Sequence, residues 1–361
     1  MKHKLKATWE QIKLWVQAHK KLSIAGGLLL VALLVALVIV LTNPDNSEVT
    51  RTDTSTATQT ETEPEPVTVP SPLTGVQVSE EQAARPVTAV VIENSPDARP
   101  KSSLHEAGFV FESIAEGGIT RYLAMYQESR PSTIGPVRSL RPYFPDWILT
   151  FDASIAHVGG SATALAEVGP LGVKSLSQFT YGDSYVRTTD RFAPHNVYTD
   201  FDKLDALNNR LGYTGSDFES FPRKAAKPAA APTATEITVD ISSITYQSSY
   251  TWDRQSNTYL RRIAGVPEKD RETDKRIAPS VVVVIEAPFS IGSDGRYDYE
   301  LVGSGKATVF QDGNVLVGSW KKTARDAQIS FLADTGDEIR FNPGQLWLTV
   351  ISPSQEVEYT P

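Results

Sequence analysis

The sequence predicts an α/β or α+β domain followed by a mainly β domain, both carried outside a membrane by one N-terminal transmembrane helix. Three observations point there. Leu22 to Leu41 is a run of 20 residues without a charge. The middle of the chain mixes β-branched runs with helical periodicity. The last third reads as short strands separated by turn residues. With 361 residues the chain is long enough for two domains of about 100–200 residues each.

At about 1.5 Å per residue the apolar run spans about 30 Å, the hydrocarbon thickness of a bilayer. Lys20 and Lys21 precede it, with Lys2, Lys4, Lys6 and Lys13 further back, whereas the far flank is Thr42-Asn43-Pro44-Asp45. The positive-inside rule therefore puts residues 1–21 in the cytoplasm as a basic tail and residues 22–41 across the cell membrane as a single pass. A cleaved signal peptide fits less well, because the apolar run is too long and the exit Val40-Leu41-Thr42-Asn43 has no small-x-small site. Leu5, Trp9, Ile12 and Val16 lie at helical spacing, which suits either an interfacial helix on the inner leaflet or a frayed tail.

Residues 42–84 are rich in Thr, Pro and Glu, with eight acidic residues against the single base Arg51. Apolar residues are too sparse there to offset the cost of ordering the backbone, so a solvated spacer is expected. The whole chain carries a net charge of −8. Residues 1–41, with six Lys and one Glu, hold +5 of it, so the remainder carries −13. An acidic exterior speaks against a nucleic-acid partner, since phosphate binding needs a basic face. The absence of cysteine excludes disulfides, thiolate chemistry and a lipid-bearing Cys anchor.

Residues 85–221 form the expected first globular domain. Val87–Ile92, Phe109–Ser113, Arg121–Gln127 and Ala153–Val158 read as strands. Pro145–Thr150 reads as a helix start, Ser161–Val168 as a helix capped by Ser161, and Phe201–Leu211 as an amphipathic helix ended by Gly212. Five segments carry a family resemblance: PVTAVVIENSPDARP (Pro86–Pro100), FESIAEGGITRYLAMYQ (Phe111–Gln127), IGPVRSLRPYF (Ile134–Phe144), AHVGGS (Ala156–Ser161) and APHNVYTD (Ala193–Asp200). In this order the chain resembles the YerB-like lipoproteins, a bacterial domain-of-unknown-function family, over about residues 85–355. The resemblance implies export and anchoring in the envelope, and it brings no established activity. The chain departs from the family in its anchor, a helix in place of the lipidated Cys.

Candidate chemistry lies in those segments. Arg121, Arg138, Arg141, Arg187 and Arg191 fall in or beside them, and a planar guanidinium grips carboxylate or phosphate through paired hydrogen bonds that lysine cannot make. They serve either as a ligand-facing anion site or as internal braces to Glu93, Glu112, Glu116 or Asp152. Glu112 and Glu116, four apart on a strand, would share a face and suit acid–base hydrolysis of a glycan, or else partner arginines. Gly159, Gly160 and Ser161 lead into a helix N-terminus and suit an anion turn, with simple capping by Ser161 as the alternative. His195 and Asn196 suit a polar pocket. His157 and His195 are the remaining acid–base candidates. Their spacing makes no metal motif, and no metal or cofactor is expected.

Residues 222–235, rich in Ala, Pro and Lys, read as a linker or exposed crossing. Residues 236–361 read as a β unit or an extension of the first domain's sheet. Strands are expected at Glu236–Ile241, Val281–Glu286 and Leu346–Ile351, with hairpins over Tyr250–Ile263, Lys306–Trp320 about Asp312-Gly313, and Ile329–Phe341 about Thr335-Gly336-Asp337. Trp252, Trp320 and Trp347 suit core packing, with sugar stacking as the alternative. Three functional readings follow: a module binding an anionic envelope component such as a cell-wall carboxylate or teichoic phosphate, a cell-wall hydrolase, or a scaffold for an envelope protein partner.

Overall fold

The computed structural model describes residues 67–361. The expected cytoplasmic tail, transmembrane span and spacer up to residue 66 lie outside the described residues. No described helix is long and apolar enough to cross a membrane. The stretch 67–84, expected as spacer, instead has structure. β1 (Thr68–Pro70) and β2 (Gln77–Ser79) pair antiparallel, and α1 (Glu80–Ala83) follows. Ser79 and Gln82 form a capping box that satisfies backbone donors at both positions. Leu73 and Val78 are buried, and the Leu73 carbonyl accepts from Arg223 Nη2 at 2.6 Å. Composition concealed this segment because a hairpin held down by two apolar side chains leaves little periodic signal.

The N-terminal half then supplies β3 (Thr88–Glu93), β4 (Phe109–Glu116), β5 (Ile119–Tyr126), α2 (Phe144–Thr150), β6 (Ser154–His157), α3 (Ala162–Val168), β7 (Lys174–Ser177), β8 (Val186–Arg187), β9 (Val197–Tyr198) and α4 (Phe201–Leu211). Asp200 caps α4 through the Lys203 N–H, and Gly212 ends it at φ +77°, where an L side chain would be strained. The C-terminal half contributes only strands among its described residues. They are β10 (Glu236–Val239), β11 (Ser248–Asp253), β12 (Thr258–Ile263), β13 (Val266–Pro267), β14 (Val281–Glu286), β15 (Phe289–Ile291) and β16 (Tyr297–Tyr299). β17 (Gly303–Gln311), β18 (Asn314–Lys322), β19 (Ser330–Ala333), β20 (Leu346–Ile351) and β21 (Val357–Thr360) complete them.

Ten strands make one mixed sheet in the order β19-β18-β17-β14-β20-β4-β5-β3-β6-β7. The two halves of the chain join in it through the parallel pair β20–β4, from Leu346↔Phe109 to Thr349↔Glu112. A second, antiparallel sheet of five strands runs β13-β12-β11-β10-β21. Asp312 (φ +59°) and Gly313 (φ +77°) form the β17–β18 turn, the type I′ geometry that matches strand twist. A Cβ on Gly313 would meet the Trp252 ring at 2.8 Å. The expected hairpin over Ile329–Phe341 forms only in part: β19 is its first arm, and the return makes a single bridge, Leu332↔Glu338.

β14, β20 and β4 are mutually parallel, as are β3, β6 and β7. β5 lies antiparallel between β4 and β3, so all six run the same way. Their carboxyl ends share one edge of the sheet, which bears Glu116, Glu93 and His157. Helix α2 covers one face, with Trp147 against Phe111 at a ring-centroid distance of 4.6 Å. Alternation puts Glu112, Tyr122 and Trp347 on the other face, where the five-stranded sheet delivers Arg261 and Tyr250. Arg261 Nη2 donates to Glu112 Oε2 at 2.8 Å, Tyr250 Oη accepts from Arg261 Nε at 3.1 Å, and the guanidinium lies 4.2 Å from the Trp347 ring centroid. Arg261 also pairs with Glu268, which pairs in turn with Lys101. Both partners of the Arg261–Glu112 pair are fully buried.

Removing one member of a buried pair strands its partner's charge. Arg261→Met is therefore expected to cost about 3–5 kcal/mol of stability, measured by urea unfolding. A loss below about 1 kcal/mol would show that the network does not hold the two sheets together.

Candidate functional site

The family-resembling segments converge on the carboxyl edge. Ligands of open α/β sheets bind outside the carboxyl ends of the strands. Segment Ile134–Tyr143 is drawn across that edge by backbone bonds: Glu93 N–H to the Pro136 carbonyl at 3.0 Å, Arg138 N–H to Val91 at 2.8 Å, and Leu140 N–H to Gly159 at 3.0 Å. This places Arg138 and Arg141 beside the last residues of β3 and β4 and the first residues of β5.

Two guanidiniums there divide one carboxylate. Arg121 Nη2 donates to Glu116 Oε1 at 2.7 Å, and Arg141 Nε donates to Glu116 Oε2 at 2.7 Å. The Arg121 side chain is 2% exposed, that of Arg141 4% and that of Glu116 28%, so the carboxylate is the member that reaches solvent. Arg121 Nε is buried without a hydrogen-bond partner. Burial alone would raise Glu116, but Arg121 and Arg141 overcome it and hold the carboxyl below its usual range. Burial first, and then the like charge of Arg121, push Arg141 down to about 10. Arg138 approaches Glu93 at 3.3 Å, and burial lowers it as well. The edge therefore holds a surplus of guanidinium over carboxylate.

The remaining candidates have internal uses. His195 Nδ1 lies 3.0 Å from Glu93 Oε1 and 3.2 Å from Ser95 Oγ. Ser95 Oγ itself donates to Glu93 at 2.8 Å, so the three side chains form one cluster. His157 donates from Nδ1 to the Gly159 carbonyl at 2.7 Å and accepts from Ser175 Oγ at Nε2, 2.9 Å. Burial holds its pKa below the ordinary value, and the histidine is neutral. Both nitrogens are committed, which leaves neither for a substrate proton. Ser161 caps α3 through the Ala164 N–H at 3.2 Å. Gly159 and Gly160 are engaged with Leu140 as a short parallel bridge and its flanking bonds, so the turn is closed against the protein. Asn196 accepts from Arg187 Nη1 at 2.9 Å and donates to the Thr188 carbonyl at 3.0 Å. Arg191 lies away from the shared carboxylate and donates to the carbonyls of Ala98, 2.7 Å, and Pro100, 2.6 Å.

The expected pairing of Glu112 with Glu116 does not occur. The β4–β5 register shifts between Ile114 and Glu116, and this irregularity breaks the alternation that would have put both on one face. Glu112 faces Arg261 on the interior side, while Glu116 faces Arg121 and Arg141 at the edge. Trp320 and Trp347 are 1% and 0% exposed and Trp252 is buried too, which leaves none as a stacking platform. Among the described residues no group of three or more His, Asp or Glu is placed to hold a metal ion.

Residues 73–214 match the family described as protein of unknown function (DUF3048), N-terminal domain, and residues 237–348 match its C-terminal domain. The chain belongs to this family. It is similar to the "Putative lipoprotein YerB" of Bacillus subtilis (strain 168), with 33% identity over 286 residues that cover 78% of this chain and 86% of that one. It also superposes on the crystal structure of YerB protein from Bacillus subtilis with a TM-score of 0.73 at 31% identity, covering 80% of this chain and 99% of that one. The resemblance read from the motif segments is thus the true relationship, and those segments are the ones that build the carboxyl edge.

The Glu116 carboxyl has its pKa depressed in the folded state. Its contribution to stability is complete above the unfolded glutamate value of about 4.3 and is lost as pH falls through the lower folded value. Glu116→Gln is expected to cost about 1–2 kcal/mol at pH 7, with the gap from wild type closing below about pH 4. Thermal melts across pH 3–8 check this, and a gap independent of pH would contradict the shared-carboxylate reading.

Proposed function

We propose that this chain is a membrane-held, extracytoplasmic binding module that takes an anionic component of the cell envelope at the carboxyl edge of its ten-stranded sheet. Location is supported by the relative described as a lipoprotein and by the basic-then-apolar N-terminus. The ligand reading rests on one observation: Arg121 and Arg141 share the single partly exposed carboxylate of Glu116, with Arg138 alongside. An incoming carboxylate or phosphate would complete the second guanidinium pairing, using donors already fixed in place. Cell-wall peptide carboxylates and teichoic phosphates both offer that chemistry.

A scaffold reading, with an envelope protein as partner, is favoured by two features. Arg138 and Glu93 close on each other, and Phe179 and Phe192 stand 76% and 91% exposed. A hydrolase built on paired carboxylates has less support, because Glu112 and Glu116 point to different partners.

The test is retention of residues 67–361 on purified cell wall. Arg138→Lys and Arg141→Lys are each expected to weaken retention about tenfold, because the two-pronged hydrogen bonding is lost while the charge stays. Equal retention by correctly folded variants would remove the ligand reading in favour of the scaffold. Release of soluble fragments that stops in Glu116→Gln would instead establish hydrolysis.

A further inference from the structure

Away from the shared carboxylate lies a cleft of about 430 Å3, lined by the Arg99–Lys101 stretch and by residues 263–274. Its volume falls within the range of about 300–1,000 Å3 occupied by small-molecule sites. One wall is apolar: Ile263, Ala264, Val266 and Pro267, at the end of β12 and along β13. β13 is an edge strand, but Pro267 offers no N–H, so the edge is poorly suited to adding a peptide strand. Small-ligand burial suits this wall better than strand pairing.

The charges around the cleft are not evenly matched. Lys101 pairs with Glu268, Lys269 with Asp274 at 2.7 Å, Arg271 with Asp190, and Asp270 with His105 at 3.3 Å. Arg99 is the exception. It donates only to Asn94, from Nε to Oδ1 at 3.2 Å and from Nη2 to the carbonyl at 3.0 Å, and its guanidinium lies 5.3 Å from the Tyr246 ring centroid. Arg191, which holds the carbonyls on either side of Arg99, likewise bonds only neutral oxygens. Among the described residues neither guanidinium has a carboxylate within 4 Å. One cation with neutral partners, Arg99, thus lines the cleft with the apolar wall, and a second, Arg191, is held on the carbonyls flanking it.

We propose that this cleft binds a small amphipathic anion, its carboxylate or phosphate head on Arg99 with Arg191 adding charge, and its apolar body on Ile263, Val266 and Pro267. The head needs a charge because neutral carbonyls leave Arg99 without a counter-ion. The body needs carbon because the wall offers few hydrogen bonds. The site is separate from the Arg121–Glu116–Arg141 group and does not rest on the function proposed for it.

The experiment is calorimetric titration of the full-length protein in lipid nanodiscs, with empty nanodiscs as the blank. The probes are hexanoate, hexyl phosphate, hexan-1-ol and inorganic phosphate. Hexanoate or hexyl phosphate is expected to bind at least about tenfold more tightly than hexan-1-ol, which lacks the charge, and than inorganic phosphate, which lacks the body. The stronger of the two anions identifies the head. Arg99→Gln is expected to weaken that binding about tenfold and Arg191→Gln by a smaller factor. Val266→Asp, at a residue 63% exposed and outside the core, is expected to abolish it with the melting temperature unchanged. Equal binding of hexan-1-ol, unchanged binding in Arg99→Gln, or no heat from either organic anion overturns the proposal.

Discussion

The fully buried Arg261–Glu112 pair is the contact on which the rest of this molecule depends. Glu112 lies on β4 in the N-terminal half and Arg261 on β12 in the C-terminal half. Neither charge could stay in the interior without the other, because the desolvation cost per ion is several kcal/mol. The surrounding bonds answer that demand. Glu112 also accepts from Trp347 Nε1 at 3.0 Å and from Thr120 Oγ1 at 3.3 Å, while Arg261 rests against Trp347 and Tyr250. An apolar contact of equal area would tolerate sliding of one sheet on the other. A charge pair with directed hydrogen bonds does not, so it fixes the register of the two sheets.

That register bears on the cleft, while the carboxyl edge arises within the ten-stranded sheet itself. The carboxyl edge exists because the crossovers of both halves bring six strands into one direction, and β5 alone opposes them between β4 and β3. The cleft exists because the β12–β13 hairpin, tied to Lys101 through Glu268, stops beside the Asn94–Lys101 segment instead of closing over it. Glu268 is therefore structural and site-forming at once: it satisfies Arg261 and Lys101 below while its own strand end forms the cleft wall.

Local signals made much of the strand and helix pattern legible in the sequence. Val281–Glu286, Asp312-Gly313 and the Asp200–Gly212 boundaries each have a short-range cause: a β-branched run, a type I′ turn, a cap at either end. What escaped were features set by distant contacts. The β4 irregularity that separates Glu112 from Glu116 has no signature in FESIAEGG. β1 and β2 gave no periodic signal. Arg261 did leave a trace: in Tyr259-Leu260-Arg261-Arg262-Ile263 it occupies the inward parity with Tyr259 and Ile263, and a lone arginine at a core position requires a buried acid. The arginines of the motif segments were found from type and placement, but sequence could not divide them into the pair on Glu116 and the one, Arg191, that stands with Arg99.

Asn94 is where these strands of argument meet. It is 0% exposed and sits just past β3, next to Glu93 of the Arg138–His195 cluster. Its Nδ2 donates to Thr120 Oγ1 at 2.6 Å, and its Oδ1 accepts from both Arg99 Nε and Lys101 Nζ, at 3.2 and 3.0 Å. Thr120 in turn touches Glu112. One amide thus bonds the strand beside the shared carboxylate, the buried charge network and the cation of the cleft. An aspartate there would place an anion against Arg99 and cancel the imbalance that makes the cleft selective. A leucine would take away the donor to Thr120 and the side-chain acceptor that Arg99 and Lys101 share. Only a neutral side chain that both donates and accepts keeps the two guanidinium sites electrically distinct while bracing them on the same strand end.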